Sequence, residues 1–95
     1  MQNKNLSIEE TFTIAVQNHK KNNFEIARDL YEKILKTNPN HFEVVFLLGT
    51  LSAQTKNFDR AKQLLQKATQ IQPNNADAHN NLGSAQKETG ENQKA

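Results

Sequence analysis

The chain has no cysteine and no tryptophan, two prolines, three glycines, and only six aromatic residues, five phenylalanines and one tyrosine. Without cysteine, disulfides and thiol chemistry are excluded. No apolar run is long enough to span a membrane, and MQNKNLSIEE lacks the apolar stretch of a secretory signal. Charge of one sign is lacking too. Twelve basic and ten acidic residues are interspersed and leave +2, which supplies no electrostatic footprint for nucleic acid. The resulting expectation is a cytoplasmic protein with neither nucleic-acid nor membrane partners. Hydrophobic residues are 35% of the 95 positions. That is thin for one globular core and sufficient for an elongated stack, where each unit buries a stripe against its neighbour.

What the chain does have is a period. NNFEIARDLYEKILKTNPN (Asn22–Asn40) aligns with KNFDRAKQLLQKATQIQPN (Lys56–Asn74) at an offset of 34 residues. Asn23, Phe24, Ala27, Leu30, Lys33, Pro39 and Asn40 return as Asn57, Phe58, Ala61, Leu64, Lys67, Pro73 and Asn74. Leu48-Gly49 returns as Leu82-Gly83, Thr55 as Thr89 and Ala61 as Ala95. One register held across apolar, glycine and proline positions marks a solenoid array.

Each period predicts two helices. Ala27, Leu30, Tyr31 and Ile34 follow helical steps from Phe24, as Ala61, Leu64, Leu65 and Ala68 do from Phe58. Pro39 and Pro73 end these helices by disfavouring helical backbone in the preceding residue. Ahead of each runs another helix, roughly 8–21, 42–55 and 76–89. The short polar links require antiparallel neighbours, so the predicted fold is all-α, with five complete helices. The predicted units are a flexible lead (1–7), two full repeats (8–41 and 42–75) and a partial third (76–95). Disorder is expected at Met1 to Asn5 and fraying after Gly90. GENQKA reads as the start of another helix, which predicts a piece of a longer array; the alternative is a degenerate cap. An interior glycine costs about 1 kcal/mol against alanine, so Gly49 and Gly83 imply close helix approach.

Catalytic signals are sparse. His19, His41 and His79 have no metal-ligand spacing. His19 suits a charge–dipole contact at a helix C-terminus, while His41 in a turn and His79 on a helix read as packing residues. Glu9 and Glu10 suit a first helical turn, and adjacent helix positions point to different faces. The serines at 7, 52 and 84 have no encoded base, and no glycine loop could cradle phosphates. Neither a cofactor nor a metal is implied.

A family resemblance rests on named residues. Ala15, Ala27, Tyr31 and Pro39 carry it in the first unit, Leu48, Gly49, Phe58, Ala61, Ala68 and Pro73 in the second. Leu82, Gly83, Gly90 and Ala95 carry it in the third, and the chain resembles the tetratricopeptide repeat family over nearly its whole length. It departs at Thr11 and Asn18, where large apolar or aromatic residues are usual and looser packing is expected. Val45 and His79 stand where tryptophan is frequent.

The resemblance implies a right-handed superhelix whose first helices line a concave wall that receives a protein or peptide. On that pattern the first unit contributes Glu9, Phe12, Thr13 and Val16, and the second Glu43, Phe46, Leu47 and Thr50. The third contributes Asp77, Asn80, Asn81 and Ser84. His19 and Lys20, Ala53 and Gln54, and Lys87 and Glu88 lie further along the same helices. Phe12 and Phe46 read either as groove aromatics or as completing the core between repeats. One class of the family grips acidic chaperone C-termini with a basic clamp. Phe12, Val16, Leu47, Asp77 and Asn81 stand at those sites and none is basic, so a chaperone tail is not implied. In another class, that of O-linked N-acetylglucosamine transferases, wall asparagines bind substrate backbone. NADAHNNLG is similar to it at Asn81, whereas Thr13 and Leu47 occupy the equivalent places. The implied role is a non-catalytic protein- or peptide-binding scaffold. The alternatives are a self-assembly module, associating through an exposed Leu82 end, or a substrate-recruiting array within a larger enzyme.

Overall fold

The computed structural model describes residues 6–90 as five α-helices, with no strand among the described residues. They are α1 (Ile8–Lys20), α2 (Phe24–Thr37), α3 (Phe42–Gln54), α4 (Phe58–Ile71) and α5 (Ala76–Glu88). Each packs on the next in chain order, and α3 also touches α5. The expected disorder at Met1 to Asn5, the matched Ala95 and most of GENQKA lie outside the described residues.

The helices start and stop for local reasons. At α1, Ser7 Oγ accepts from the Glu10 backbone N–H, and the Ser7 N–H donates to Glu10 Oε1, both near 3 Å. This reciprocal capping box satisfies two end donors that helical bonding leaves free. His41 Nδ1 and Asn75 Oδ1 cap α3 and α5 by accepting from Val44 and Ala78 backbone N–H groups. The tight links after α1 and α3 turn on one residue each: Asn22 (φ 65°) and Lys56 (φ 67°) are left-handed. Asn23 N–H then reaches the Asn18 carbonyl, and Asn57 N–H the Ser52 carbonyl, a six-to-one closure that satisfies the last turn of each helix. The longer links are β-turns with Pro39 and Pro73 second, closed by His41 N–H to Asn38 O and Asn75 N–H to Gln72 O.

The core lies along α3. Val44, Val45, Leu48 and Leu51 are fully buried there because α3 is covered by α2 on one side and α4 on the other. Tyr31 and Ile34 fill it from α2, and Leu64 and Ala68 from α4. A smaller cluster of Ala61, Leu65 and Ala85 joins α4 to α5. Ala15, Ala27 and Ala78 are fully buried as well.

Four expectations are corrected or sharpened. Thr11 is buried rather than loosely packed, and Asn18 ties the first link by donating to the Ile14 carbonyl and accepting from the Asn23 amide. Gly49 meets a packing need, since a β-carbon there would stand 2.9 Å from Leu65 Cγ, whereas one at Gly83 would meet nothing within 4 Å. Leu82 is half-buried against the Ala61 cluster. The exposed apolar residues stand at the opposite end of the stack, where Leu6 and Ile26 are 53% and 52% exposed.

Candidate functional site

The first helices of the hairpins, α1, α3 and α5, carry two adjoining recesses. One, of ≈ 330 Å³, is lined by Val16, His19, Lys20, Asn22, Tyr31, Leu47 and Gln54. The other, of ≈ 250 Å³, is lined by Thr50, Ala53, Gln54, Leu65, Asn81 and Ser84. Gln54 belongs to both. Apolar side chains contribute to each, and the second carries no charged side chain.

The polar groups are held by bonds that can be assigned one by one. His19 Nδ1 lies 2.9 Å from the Tyr31 hydroxyl and Nε2 lies 2.6 Å from Gln54 Oε1, so one imidazole joins α1, α2 and α3. The fully buried Tyr31 hydroxyl has no other partner among the described residues. A buried hydroxyl proton needs an acceptor, so Tyr31 O–H donates to Nδ1. Nε2 then bears the ring proton and donates to Gln54 Oε1. Burial also pushes the Tyr31 pKa up to about 12. In the second recess, Thr50 Oγ1 donates to the Phe46 carbonyl at 3.0 Å and therefore only accepts from Asn81 Nδ2, at 3.2 Å.

The residues expected on the wall divide. Val16 and Leu47 meet in the first recess, and Thr50, Asn81 and Ser84 in the second. Phe12 and Phe46 are half-buried and pack against the core; Phe12 lies 5.6 Å from the His41 ring and Phe46 stacks 5.8 Å from Phe42. Thr13 bonds its own helix at the Glu9 carbonyl and lines a separate patch with Leu6, Glu10, Ile14 and Gln17. Glu43, Asp77 and Asn80 are exposed near the starts of α3 and α5, outside both recesses.

Two of the three histidines depart from their expected roles, while His41 packs as expected, half-buried with its ring 5.6 Å from that of Phe12. His19 bridges helices instead of merely facing a helix end, and His41 is a cap acceptor. His79 is exposed and its Nε2 meets the Pro73 carbonyl at 2.6 Å, so it does not pack. The His19–Gln54 link was the feature least legible in the sequence. Its one signal is Tyr31, a lone tyrosine on a buried helix stripe whose hydroxyl requires a partner.

Elsewhere, a recess of ≈ 400 Å³ opens between α2 and α4, with the Arg60–Glu32 ion pair (2.9 Å) among its lining residues. Among the described residues no three metal-ligating side chains gather, and no helix is long and apolar enough to cross a membrane.

The tetratricopeptide repeat model matches residues 19–80 and again 53–95, starts that differ by the same 34 residues as the internal period. The chain belongs to the tetratricopeptide repeat family. A crystal structure of MamA is similar to this tetratricopeptide repeat chain, 28% identical with a TM-score of 0.85, over 90% of this chain and 47% of that one. An AMB-1 MamA structure gives 21% identity and a TM-score of 0.85, over 94% and 49%. The C-terminal TPR-containing domain of a Plasmodium falciparum FK506-binding protein gives 26% and 0.80, over 93% and 58%. The chain thus spans about half the length of the MamA structures it matches. No curated protein sequence matches it. The fold and its family support a protein-interaction scaffold.

Proposed function

We propose that the face of α1, α3 and α5 is a non-catalytic surface that binds a protein or peptide, built from repeat units 8–41, 42–75 and 76–95. The observation that carries this reading is the pair of adjoining recesses on those three helices, with apolar residues beside amide and hydroxyl groups in both and His19 and Lys20 in the first. Such a surface suits an extended chain, whose backbone is polar and whose side chains alternate. Asn81 stands where the asparagine-bearing arrays of O-linked N-acetylglucosamine transferases hold substrate backbone, and the same surface could recruit a substrate to an attached enzyme. Glu9, Glu43 and Asp77 recur at the 34-residue offset in the first turns of α1, α3 and α5, which disfavours an acidic chaperone tail. The test is selection of a displayed random-peptide library against the immobilised chain, followed by amide NMR mapping of the selected peptides. Shifts clustered on α1, α3 and α5 support the reading. Shifts confined to α2 and α4 overturn it.

A second reading, self-association, has its own observation. Ile14 is 36% exposed while Leu48, its equivalent one repeat on, is fully buried beneath the preceding hairpin. An uncovered apolar face favours association. Sedimentation should show concentration-dependent assembly that the double change I14S/I26S removes; a monomer at every concentration rules this out.

A further inference from the structure

Among the described residues the large apolar side chains that stay exposed are Leu6, Ile8, Ile14 and Ile26, and all four lie on α1, on α2 or just ahead of α1. Their repeat equivalents are covered. Arg60, one repeat on from Ile26, reaches back to Glu32 on the preceding hairpin, and Leu48, one repeat on from Ile14, is buried beneath that hairpin. Leu6 and Ile14 share a patch with Glu9 and Glu10, and its lining has no cation. Two such patches meeting each other would bring four carboxylates together, and like charges oppose that contact. The patch instead suits a basic surface with an apolar floor.

The recess between α2 and α4 has that character. Leu35 and Pro39 stand there beside the buried Val45 and Leu64, with Lys36, Arg60 and Lys67 in the same lining. Glu32 is its one acid and pairs with Arg60 at 2.9 Å. The excess of two positive charges matches the excess of two negative ones on the patch. The wall recesses offer less, since Lys20 is the one fixed cation of the first and the second has no charged residue. We infer that the Leu6–Glu10 segment of one copy docks in the α2–α4 recess of a second copy. Leu6 and Ile8 meet Leu35 and Pro39, and Glu9 and Glu10 meet Lys36 and Lys67. Glu10 keeps a second carboxylate oxygen beyond the one that caps α1. The contact joins two different surfaces, so every copy retains one patch or recess for the next, and copies add in a row or close a ring. Neither surface shares a residue with the wall recesses, which leaves those recesses available in the assembly. The inference rests on the second reading above, self-association through the α1 end.

Sedimentation velocity of the whole chain tests it. Association should weaken as salt rises from about 0.1 M to about 1 M, where the screening length falls from about 10 Å to about 3 Å. Two double variants separate the surfaces: Leu6→Ser/Glu9→Lys damages the patch, and Lys36→Glu/Lys67→Glu reverses the recess. Each alone should associate about tenfold more weakly. Their equimolar mixture should form a dimer that grows no further, because it holds one sound patch and one sound recess. Circular dichroism melts check that both variants fold; Leu6→Ser/Glu9→Gln or Lys36→Gln/Lys67→Gln replaces one that does not. If either double variant associates as the unchanged chain does, if the mixture stays monomeric, or if salt leaves association unweakened, the docking assignment is wrong while self-association stands. If the unchanged chain is monomeric at every concentration, both readings fall.

Discussion

Tyr31 is the sole tyrosine in a chain without tryptophan, so its ultraviolet absorbance isolates one phenol. Burial raises its pKa from 10.0 to about 12, because a phenolate in the core would lose its water. The folded chain thus keeps a proton that the unfolded chain releases. This contribution to stability is complete below about pH 10 and is lost as pH rises through about 12. The tyrosinate absorbance should titrate near 12 in the folded protein and near 10 in concentrated urea. Coincident midpoints would show that the phenol is not buried. Tyr31→Phe should flatten the alkaline loss and lower neutral stability by about 0.5–1.5 kcal/mol through the missing bond to His19, as read from urea melts at two pH values.

Among the elements, the two glycines at equivalent repeat positions give a controlled comparison. Both stand inside helices, α3 and α5, where replacing glycine with alanine is worth roughly 1 kcal/mol of propensity. At Gly49 the added carbon would press on Leu65 Cγ at 2.9 Å and Leu64 Cβ at 3.3 Å, both on buried residues of α4. Overpacking of that kind costs roughly 1–3 kcal/mol, so Gly49→Ala should destabilise. At Gly83 the carbon meets nothing within 4 Å, and Gly83→Ala should stabilise by up to about 1 kcal/mol. Thermal melts of the two variants should move in opposite directions. Equal shifts would mean that α3 and α4 do not cross at Gly49.

The two wall aromatics belong to the scale of the whole molecule, because each serves more than one element. Phe46 packs against both core clusters and Phe12 against the larger one. Changing both to serine removes two half-buried rings and should lower stability by several kcal/mol, within the roughly 3–5 kcal/mol per fully buried ring. Urea unfolding measures this directly. An unchanged midpoint would return both rings to the groove as free ligand contacts.

The sequence by itself determined the period, the helix count and the places where helices end. Those follow from local rules: apolar residues at helical steps, prolines that stop a helix, and a 34-residue recurrence. Helix limits accordingly fall within one residue of those expected for α1, α3 and α5. The tertiary structure decided which of two equivalent residues is covered. Ile14 and Leu48, or Gly49 and Gly83, are the same in pattern and differ only in whether a neighbouring helix lies against them. It also decided the site's polar chemistry. His19, Tyr31 and Gln54 come from three helices and are 12 and 35 residues apart across their two bonds. Hydrogen-bond valence is a property of the assembled junction, since a donor's remaining direction exists only once its first partner is in place.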